Sequence, residues 1–437
     1  MSTSDSGLAT IPRGAAPRHR FFVTAARGTE GALRREIAAL RIAGARGDNG
    51  GVWFEGPLEM GFAVCLHARV AMRVLMEVAR FDVDDGESLY AGVRTVDWLP
   101  WFGNATTLAV AADVRDAPGL RHSGFAALKV KDAVVDVLRD ARGSRPNVEP
   151  RDPDVAIRLH VQGREAKLFV DLAGEPLHRR GYRVAMTDAP LKETLAAAVL
   201  ALGRVDLDRP VFDPMCGSGT LAIEHALAAR RIAPGLGRRF GFHRWPFFAS
   251  EATRKAWDRL KEQARADVLP AAPAPILCGD RFPDAIEAAR RNAAAARVAR
   301  DITFEVADAR ELQPPAVDPG NLVMNPPYGE RLMGAPGQAG PYVVAAPPPR
   351  PPPHTRGGGR PPQRGARAPL PRDEHVQQLK LAGLYRGLAM MFDRFKGWGV
   401  VVLSGNPLWT DEIRRRPLIS HRLFNGPLEV RLLRYEL

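Results

Sequence analysis

The sequence is poor in cysteine and contains no long apolar run. Its 437 residues include three cysteines, Cys65, Cys216 and Cys278, with no Cys-x-x-Cys spacing. This scatter argues against a disulfide framework or a metal site and fits a reducing cytoplasm. No apolar run approaches the roughly 18 residues of a membrane span, so no membrane partner is expected. Residues 1–20 also lack the apolar segment of a signal peptide and are predicted to form a disordered tail.

Acidic residues are outnumbered, and one segment has none. The chain has a formal net charge of +13 and a pI near 10.2. Residues 336–372 hold six arginines and no acid, so the rest of the chain carries +7. Such a chain has room for two or three domains, and its basic balance favours a polyanionic partner such as nucleic acid. The same segment contains 12 prolines and six glycines, which predicts a disordered insertion.

One motif carries more information than any other. Asn325-Pro326-Pro327-Tyr328 follows the apolar run 321–324, which predicts a loop at the end of a buried strand. The two prolines stiffen the loop, so the Asn325 amide oxygen and the Pro326 carbonyl oxygen can converge on one point. Two acceptors suit the hydrogens of an exocyclic amine, and Tyr328 offers a ring for stacking. An X-Pro-Pro turn without such a role is the alternative reading of the motif alone.

A glycine-rich turn lies upstream of this motif. Residues 211–220 predict a strand that ends at Asp213, a turn with Gly217 and Gly219, and a helix that begins near Leu221. Glycines at a helix N-terminus let a ligand approach the backbone closely. The turn is neither a dinucleotide fingerprint, because the third glycine is missing, nor a phosphate loop, because no Gly-Lys-Ser/Thr follows.

Two further predicted strand ends carry carboxylates. Strand 276–280 ends at Asp280, and strand 302–306 leads to Asp308. Carboxylates at successive strand ends suit a nucleoside, because they accept hydrogen bonds from a ribose diol, an ammonium or an adenine amine. Each Asp taken alone is more often a capping or turn residue.

This order of strand ends resembles the class I S-adenosylmethionine-dependent methyltransferases that methylate amino groups. The resemblance implies a Rossmann-like α/β domain over residues 190–437, with S-adenosyl-L-methionine as cofactor. It implies that Asn325, Pro326, Pro327 and Tyr328 act on the substrate amine. The cofactor-binding residues that it implies are Asp213, Pro214, Cys216, Gly217, Gly219, Thr220, Asp280, Asp308 and Asn325. In this arrangement Asp213 and the glycine turn surround the amino-acid end, Asp280 binds the ribose hydroxyls and Asp308 lies near the adenine.

The likeness extends to most of the chain. Six further stretches resemble bacterial 23S ribosomal RNA guanine-N2 methyltransferases, namely residues 21–28, 90–93, 128–133, 177–183, 190–195 and 422–426. The resemblance implies an α+β THUMP-type RNA-binding region over 21–173, a basic connector over 174–189, and 23S rRNA or a large-subunit assembly intermediate as partner. Phe282 departs from the family, which usually has a second acid there. The chain also carries one methyltransferase domain, whereas some relatives carry two.

The pattern before residue 173 predicts an α+β module. The predicted strands are 21–26, 51–55, 108–113, 155–161 and 166–172, and the predicted helices are 29–40 and 125–138. Its basic residues form either a nucleic-acid face or a solvated helix surface. They are Arg121, His122, Lys129, Lys131, Arg139, Arg142 and Arg145.

A long insertion, residues 234–275, contains the aromatic and basic run 238–248. Interleaved arginines and rings bind unpaired bases by stacking and phosphates by charge. A hydrophobic anchor with basic flanks is the more common use of such a run, and we favour that interpretation.

Several functions share the amine-directed motif. The alternatives are a tRNA guanine-N2 methyltransferase, a DNA adenine or cytosine methyltransferase, a protein-glutamine methyltransferase and a non-catalytic RNA-binding protein. The basic balance and the large N-terminal module favour RNA methylation.

Overall fold

The computed structural model describes residues 17–120, 122–185, 191–329 and 372–437. Residues 1–16 of the predicted tail, Arg121, Pro190 and residues 336–371 of the predicted insertion lie outside these ranges. The first strand begins at His19, so the predicted tail reached too far by two residues. Arg372 likewise begins a helix and is not part of a disordered insertion.

The N-terminal half of the described chain forms a seven-stranded sheet in the order β2-β3-β1-β4-β7-β6-β5. All neighbouring strands pair antiparallel except β5 and β6. The strands are β1 (His19–Thr24), β2 (Arg46–Asp48), β3 (Gly51–Gly56), β4 (Arg73–Asp82), β5 (Leu108–Arg115), β6 (Val155–Gln162) and β7 (Glu165–Asp171). The helices are α1 (Glu30–Ala39), α2 (Leu58–His67), α3 (Gly86–Arg94) and α4 (Ser123–Arg142). The hairpin predicted around Gly163 and Arg164 is confirmed.

The C-terminal half forms a second seven-stranded sheet in the order β10-β9-β8-β11-β12-β14-β13. Its strands are β8 (Val211–Asp213), β9 (Ile276–Asp280), β10 (Ile302–Val306), β11 (Asn321–Met324), β12 (Gly399–Ser404), β13 (Ile419–Asn425) and β14 (Leu428–Glu436). Strands β8 to β12 are parallel, and the β13–β14 hairpin adds two antiparallel strands. The helices are α5 (Glu193–Leu202), α6 (Thr220–Ala229), α7 (Glu251–Ala266), α8 (Pro283–Ala295), α9 (Arg372–Arg394) and α10 (Leu408–Ile413).

The insertion at 234–275 is structured. It contains two short 3₁₀ helices, Gly241–Arg244 and Pro246–Ala249, followed by α7. The rings of Phe240, Phe242 and Trp245 are buried there. These three rings therefore form the hydrophobic anchor that the run 238–248 predicts.

One hydrophobic core runs through both halves of the protein. It includes Phe21 of β1 and Leu33 of α1 together with Leu195 of α5, Val323 of β11 and Leu423 of β13. The two sheets therefore belong to one packed body, because apolar burial is the dominant favourable term in folding.

Buried charged side chains also join the two halves of the protein. Arg69, in the N-terminal half, donates hydrogen bonds to the carbonyl oxygens of Leu227 (3.1 Å) and Ile232 (2.7 Å). Arg180 of the connector pairs with Glu224 of α6 at 3.4 Å, and both side chains are almost fully buried. Within the residues that the structure describes, no helix is both long and apolar enough to cross a membrane.

Candidate active site

The sheet order brings the predicted strand-end residues to one edge. Strands β10, β9, β8 and β11 are successive parallel neighbours, so their carboxyl ends lie side by side. Asp280 and Asp213 end β9 and β8, Asp308 follows β10 by two residues, and Asn325 directly follows β11. This edge is where open α/β sheets bind ligands.

The glycine turn after β8 has the geometry of a ligand-binding loop. Gly217 and Gly219 have φ angles of +53° and +81°, and Gly219 caps the N-terminus of α6. A Cβ at Gly219 would lie 3.0 Å from the Cβ of Ala289 on α8, so no larger residue fits without a shift. The Gly217 N–H donates to Asp280 Oδ2 at 2.9 Å. The turn is therefore tied to the end of β9.

Asp280 holds its place through two main-chain bonds. Besides Gly217, the N–H of Phe282 donates to Asp280 Oδ1 at 3.0 Å. A carboxylate has about four lone-pair sites, so both oxygens still have capacity for ribose hydroxyls. The Phe282 side chain is 55% exposed and supplies no carboxylate.

Asp213 is a buried carboxyl group with few hydrogen-bond donors to offset its burial. Its side chain accepts one long hydrogen bond, 3.3 Å from the N–H of Met215. Burial, with a contribution from Asp280, raises the pKa of Asp213 well above its usual range. A cationic ligand group at this carboxyl would relieve the cost of its charged form.

The other predicted residues of the turn have structural surroundings. Cys216 is buried, and its neighbour Cys278 together with burial raises the pKa of its thiol, so it is not an activated nucleophile. Pro214 lies between β8 and the turn. Thr220 opens α6, and its hydroxyl accepts a hydrogen bond from Arg183 at 3.2 Å.

Asp308 is paired within its own loop. Its carboxylate accepts bonds from Arg310 Nη2 at 2.6 Å and from Arg310 Nε at 2.9 Å. These bonds hold the pKa of Asp308 at about 2. The carboxylate is therefore ionised, and an amine that approaches it meets an acceptor.

The loop after β11 is closed upon itself. The hydroxyl of Tyr328 donates to the side-chain oxygen of Asn325. Only 8% of Tyr328 is exposed, and a Cβ at Gly405 would lie 2.6 Å from its ring. Burial raises the pKa of Tyr328, so the hydroxyl stays a donor. Tyr328 thus presents no open stacking face in this conformation. The amine-binding and stacking roles predicted for the motif would require this conformation to change.

Two residues outside the motif hold this loop. The hydroxyl of Tyr385, on α9, donates to the carbonyl oxygen of Pro327 at 2.6 Å. The amide nitrogen of Asn406, after β12, donates to the carbonyl oxygen of Tyr328 at 2.9 Å. Tyr385 and Asn406 were missed in the sequence because their partners lie 58 and 78 residues away.

Arg183 and Asn292 hold the glycine turn from behind. Arg183 donates to the hydroxyls of Ser218 (3.1 Å) and Thr220 (3.2 Å). Asn292, fully buried on α8, donates to the carbonyl oxygens of Ser218 and Ala185. A lone amide on the apolar face of an alanine-rich helix is a signal that could have identified Asn292, because buried amides need partners.

Three parts of the chain match known domain families. Residues 20–75 match the RlmL ferredoxin-like domain, residues 83–171 the THUMP domain and residues 180–338 the RMKL-like methyltransferase domain. Together with the sheet order and the strand-end site, these matches define a class I methyltransferase domain behind a THUMP-containing module. The predicted fold class is confirmed.

Two relatives place the chain more closely. It is 38% identical over 429 residues to the ribosomal RNA large subunit methyltransferase K/L of Syntrophotalea carbinolica, an alignment that covers 96% of the chain and 53% of that protein. It is 32% identical to a putative RNA methyltransferase of Synechocystis over 95% of the chain and 96% of that protein. The chain belongs to this family of THUMP-containing, RMKL-like methyltransferases. It spans about half the length of the K/L relatives that it matches.

Solved structures share the whole architecture. A predicted N6-adenine-specific DNA methylase from Listeria monocytogenes superposes with a TM-score of 0.78 at 27% identity, covering 96% of each chain. A putative methyltransferase complexed with SAH superposes with a TM-score of 0.77 at 25% identity, covering 96% of this chain and 98% of the other.

Proposed function

We propose that this chain transfers a methyl group from S-adenosyl-L-methionine to the exocyclic N2 amine of a guanosine in 23S rRNA. The observation that carries the proposal is the order of the strand ends, with the glycine turn and Asp213 beside the Asn325 loop. Names of relatives support RNA as the substrate class, and the large-subunit RNA follows from the K/L relatives. Naked rRNA and a large-subunit assembly intermediate are both candidate forms of the partner, in the cytoplasm.

The residues at the strand ends fit the proposed cofactor. Asp213 is a buried carboxyl without a cationic partner among the described residues, which suits the ammonium of the amino-acid end. Asp280 has lone pairs for a ribose diol, and the glycine turn admits a ligand against its backbone. A neighbour of the same architecture is complexed with SAH. When bound, the cofactor would supply an electrophilic methyl group on a sulfonium.

Asn325 and Pro326 would position the substrate amine. The lone pair of that amine is delocalised into the guanine ring, so it is a weak nucleophile. Acceptors at the Asn325 side chain and the Pro326 carbonyl would hold both hydrogens of the amine and direct its lone pair at the methyl carbon. The rate would rise because the reacting atoms are held in the right geometry. As the new N–C bond forms and the S–C bond breaks, positive charge develops on nitrogen and these oxygens stabilise it. The methylated nitrogen then loses a proton to water, so no strong base is needed.

The substrate amine would meet a loop in which the Tyr328 hydroxyl already donates to the Asn325 side-chain oxygen. The amine would donate to the second lone pair of that oxygen, or it would replace the hydroxyl. Release of that hydroxyl would let the Tyr328 ring meet a base that has left its stack. Residues 21–173 would hold the surrounding RNA.

Labelled cofactor tests the proposal. The protein is incubated with methyl-labelled S-adenosylmethionine and, in parallel, 23S rRNA, tRNA or duplex DNA, and the product is digested to nucleosides. We expect the label in N2-methylguanosine from 23S rRNA. Label only in tRNA would overturn the 23S rRNA assignment. The DNA arm tests a second candidate, adenine methylation of DNA, which is favoured by the activity for which the Listeria neighbour is named.

A further inference from the structure

The insertion after α6 lines an open cationic cavity that the proposed reaction does not use. The cavity has a volume of about 410 Å³, and its cations include Arg239, Lys261 and Arg265. None of its described lining residues is acidic. Phe248 and His243 add ring surface to the same wall. The lining therefore combines positive charge with aromatic rings, the combination that binds single-stranded nucleic acid.

Two of these cations are not used inside the protein. Arg239 and Arg265 are exposed and make no side-chain hydrogen bond or ion pair with any residue in the described ranges. Lys261 pairs with Asp258 at 3.0 Å. Elsewhere on α7, Lys255 pairs with Glu251 at 2.6 Å in the manner of an ordinary solvated helix face. Arg254 and Arg259, on the same helix but outside the cavity, are likewise exposed without counterions among the described residues, so the cavity is distinguished by the grouping of cations with aromatic rings in one concavity.

His243 supplies a neutral donor at the cavity wall. Its Nδ1 accepts a hydrogen bond from the Phe240 N–H at 2.8 Å. A ring nitrogen that accepts carries no proton, so in the neutral ring Nε2 carries the hydrogen and donates. Burial lowers the pKa of His243 to about 4, so this neutral form prevails at physiological pH.

The cavity lies where the two halves of the protein meet. Arg238, which also lines the cavity, donates to carbonyl oxygens of the connector at Glu175, Pro176, Leu177 and Arg179. Trp257 of α7 packs against Phe62 of α2, with ring centroids 6.1 Å apart. The cavity is therefore held against the N-terminal half, which contains the THUMP match.

We infer that this cavity is a second RNA-binding site, in which Arg239 and Arg265 bind phosphates of an unpaired strand and the Phe248 and His243 rings contact its bases. The inference rests on the proposed function for the identity of the nucleic acid. It adds to that function a binding surface outside the THUMP match and outside the strand-end site. Charge without internal partners, a donor of fixed tautomer and exposed ring surface within one concavity all suit a phosphate with a neighbouring base.

Charge reversal at the two unpaired arginines tests the inference. The full chain with Arg239→Glu and Arg265→Glu is compared with wild type for binding of a labelled oligouridylate of about 12 nucleotides, within the usual site size of such surfaces. Anisotropy is measured over a series of KCl concentrations. We expect affinity to fall at least about tenfold, and the salt slope to fall by about 0.7 for each phosphate that the protein no longer neutralises.

Arg259→Glu is the matched control. Arg259 lies on the same helix, is exposed and does not line the cavity. Because one substitution brings half the change of charge of the double variant, it is combined with Arg254→Glu, at a position that is also exposed on α7 and outside the cavity. We expect the oligouridylate affinity of this control pair to exceed that of the cavity double variant clearly. The neutral pair Arg239→Gln and Arg265→Gln, with an intermediate loss expected, guards against misfolding caused by the reversed charges.

Two outcomes would overturn the inference. One is a double variant whose affinity and salt slope equal those of wild type. The other comes from titrating GMP in place of the oligonucleotide. If the double variant loses GMP binding while its RNA binding is unchanged, the cavity is assigned to a free nucleotide. Failure of the proposed function is separate, because it appears as absent methyl transfer by the wild-type protein whatever the variants bind.

Discussion

The Tyr328 hydroxyl donates a hydrogen bond to the side-chain oxygen of Asn325. Both residues belong to the loop proposed to act on the substrate amine, and the bond involves the oxygen that the amine is expected to use. The described conformation is therefore a closed one, and Tyr328 has two separable parts to test: a hydroxyl that competes for Asn325 and a ring that stacks.

Removing the hydroxyl is expected to have less effect than removing the ring. Tyr328→Phe keeps a stacking surface and frees the Asn325 oxygen, so single-turnover methylation should stay close to wild type. Tyr328→Ala should slow it by about 1–3 kcal/mol of activation free energy, the scale of base stacking. Asn325→Ala should abolish turnover while cofactor affinity is kept. Near-normal turnover by Asn325→Ala would contradict the two-acceptor mechanism.

Asp280→Ala is expected to weaken S-adenosylmethionine binding by about 1.5–3 kcal/mol, because a hydrogen bond to a charged group is lost. Part of the loss would come from the glycine turn, since the Gly217 N–H loses its acceptor. Isothermal titration measures it. Asp284→Ala, in the first turn of α8, is the control for a lost carboxylate nearby. Equal affinities in the two variants would place the ribose elsewhere.

Cofactor affinity is expected to rise with pH because of Asp213. Burial raises the pKa of its carboxyl in the free protein, whereas a neighbouring ammonium favours ionisation. Binding below the pKa of the free protein therefore releases a proton, and affinity grows as pH rises toward that pKa. Titrations at a series of pH values, in buffers of different ionisation enthalpy, count this proton. Asp213→Asn should remove it, and a wild-type protein that releases none would place the ammonium away from Asp213.

The two hydrogen bonds that hold the Asn325 loop from Tyr385 and Asn406 are expected to affect the methylation rate more than cofactor affinity. Tyr385→Phe removes the donor to the Pro327 carbonyl, at a cost of about 1 kcal/mol in loop positioning. Asn406→Ala does the same at Tyr328. Single-turnover rates should fall while titrated cofactor affinity and the melting temperature stay close to wild type. Parallel losses of rate and cofactor affinity would indicate a general structural defect instead.

Adjacent arginines of the connector are expected to differ sharply. Arg180→Met leaves Glu224 buried and charged without its ion-pair partner, with the Tyr182 hydroxyl as a remaining donor, at a cost of about 3–5 kcal/mol in unfolding free energy. Arg179→Met removes an exposed pair with Glu175 and should cost about 0–1 kcal/mol. Urea denaturation compares them. Similar midpoints would mean that the Arg180–Glu224 pair contributes no more than a surface pair.

The strand ends could be predicted from sequence because each combines an apolar run with a terminal Asp or Asn. Strand β9 and strand β10 begin and end at the predicted residues, and β8 ends at Asp213 as expected. Helix α2 was missed because six of its ten residues are buried in one unbroken run, Gly61 to Leu66, which leaves no amphipathic period to detect. The hydrogen bonds from Tyr385 and Asn406 to the Asn325 loop could not be predicted, since they join residues far apart in sequence and depend on how α9 packs.

The core shared by the two sheets has a consequence for how a nucleotide is chosen. Domains joined by small polar interfaces move relative to one another by default, but here Phe21 and Leu33 pack into the same apolar cluster as Val323, next to the Asn325 loop. Apolar packing of this kind opposes independent motion of the two sheets, so we expect the N-terminal sheet and the Asn325 loop to keep their separation. Under the proposed function, an RNA bound by the N-terminal sheet would be presented to the Asn325 loop at a set distance. A base pair inserted between the bound segment and the target nucleotide would then move the target away from the loop.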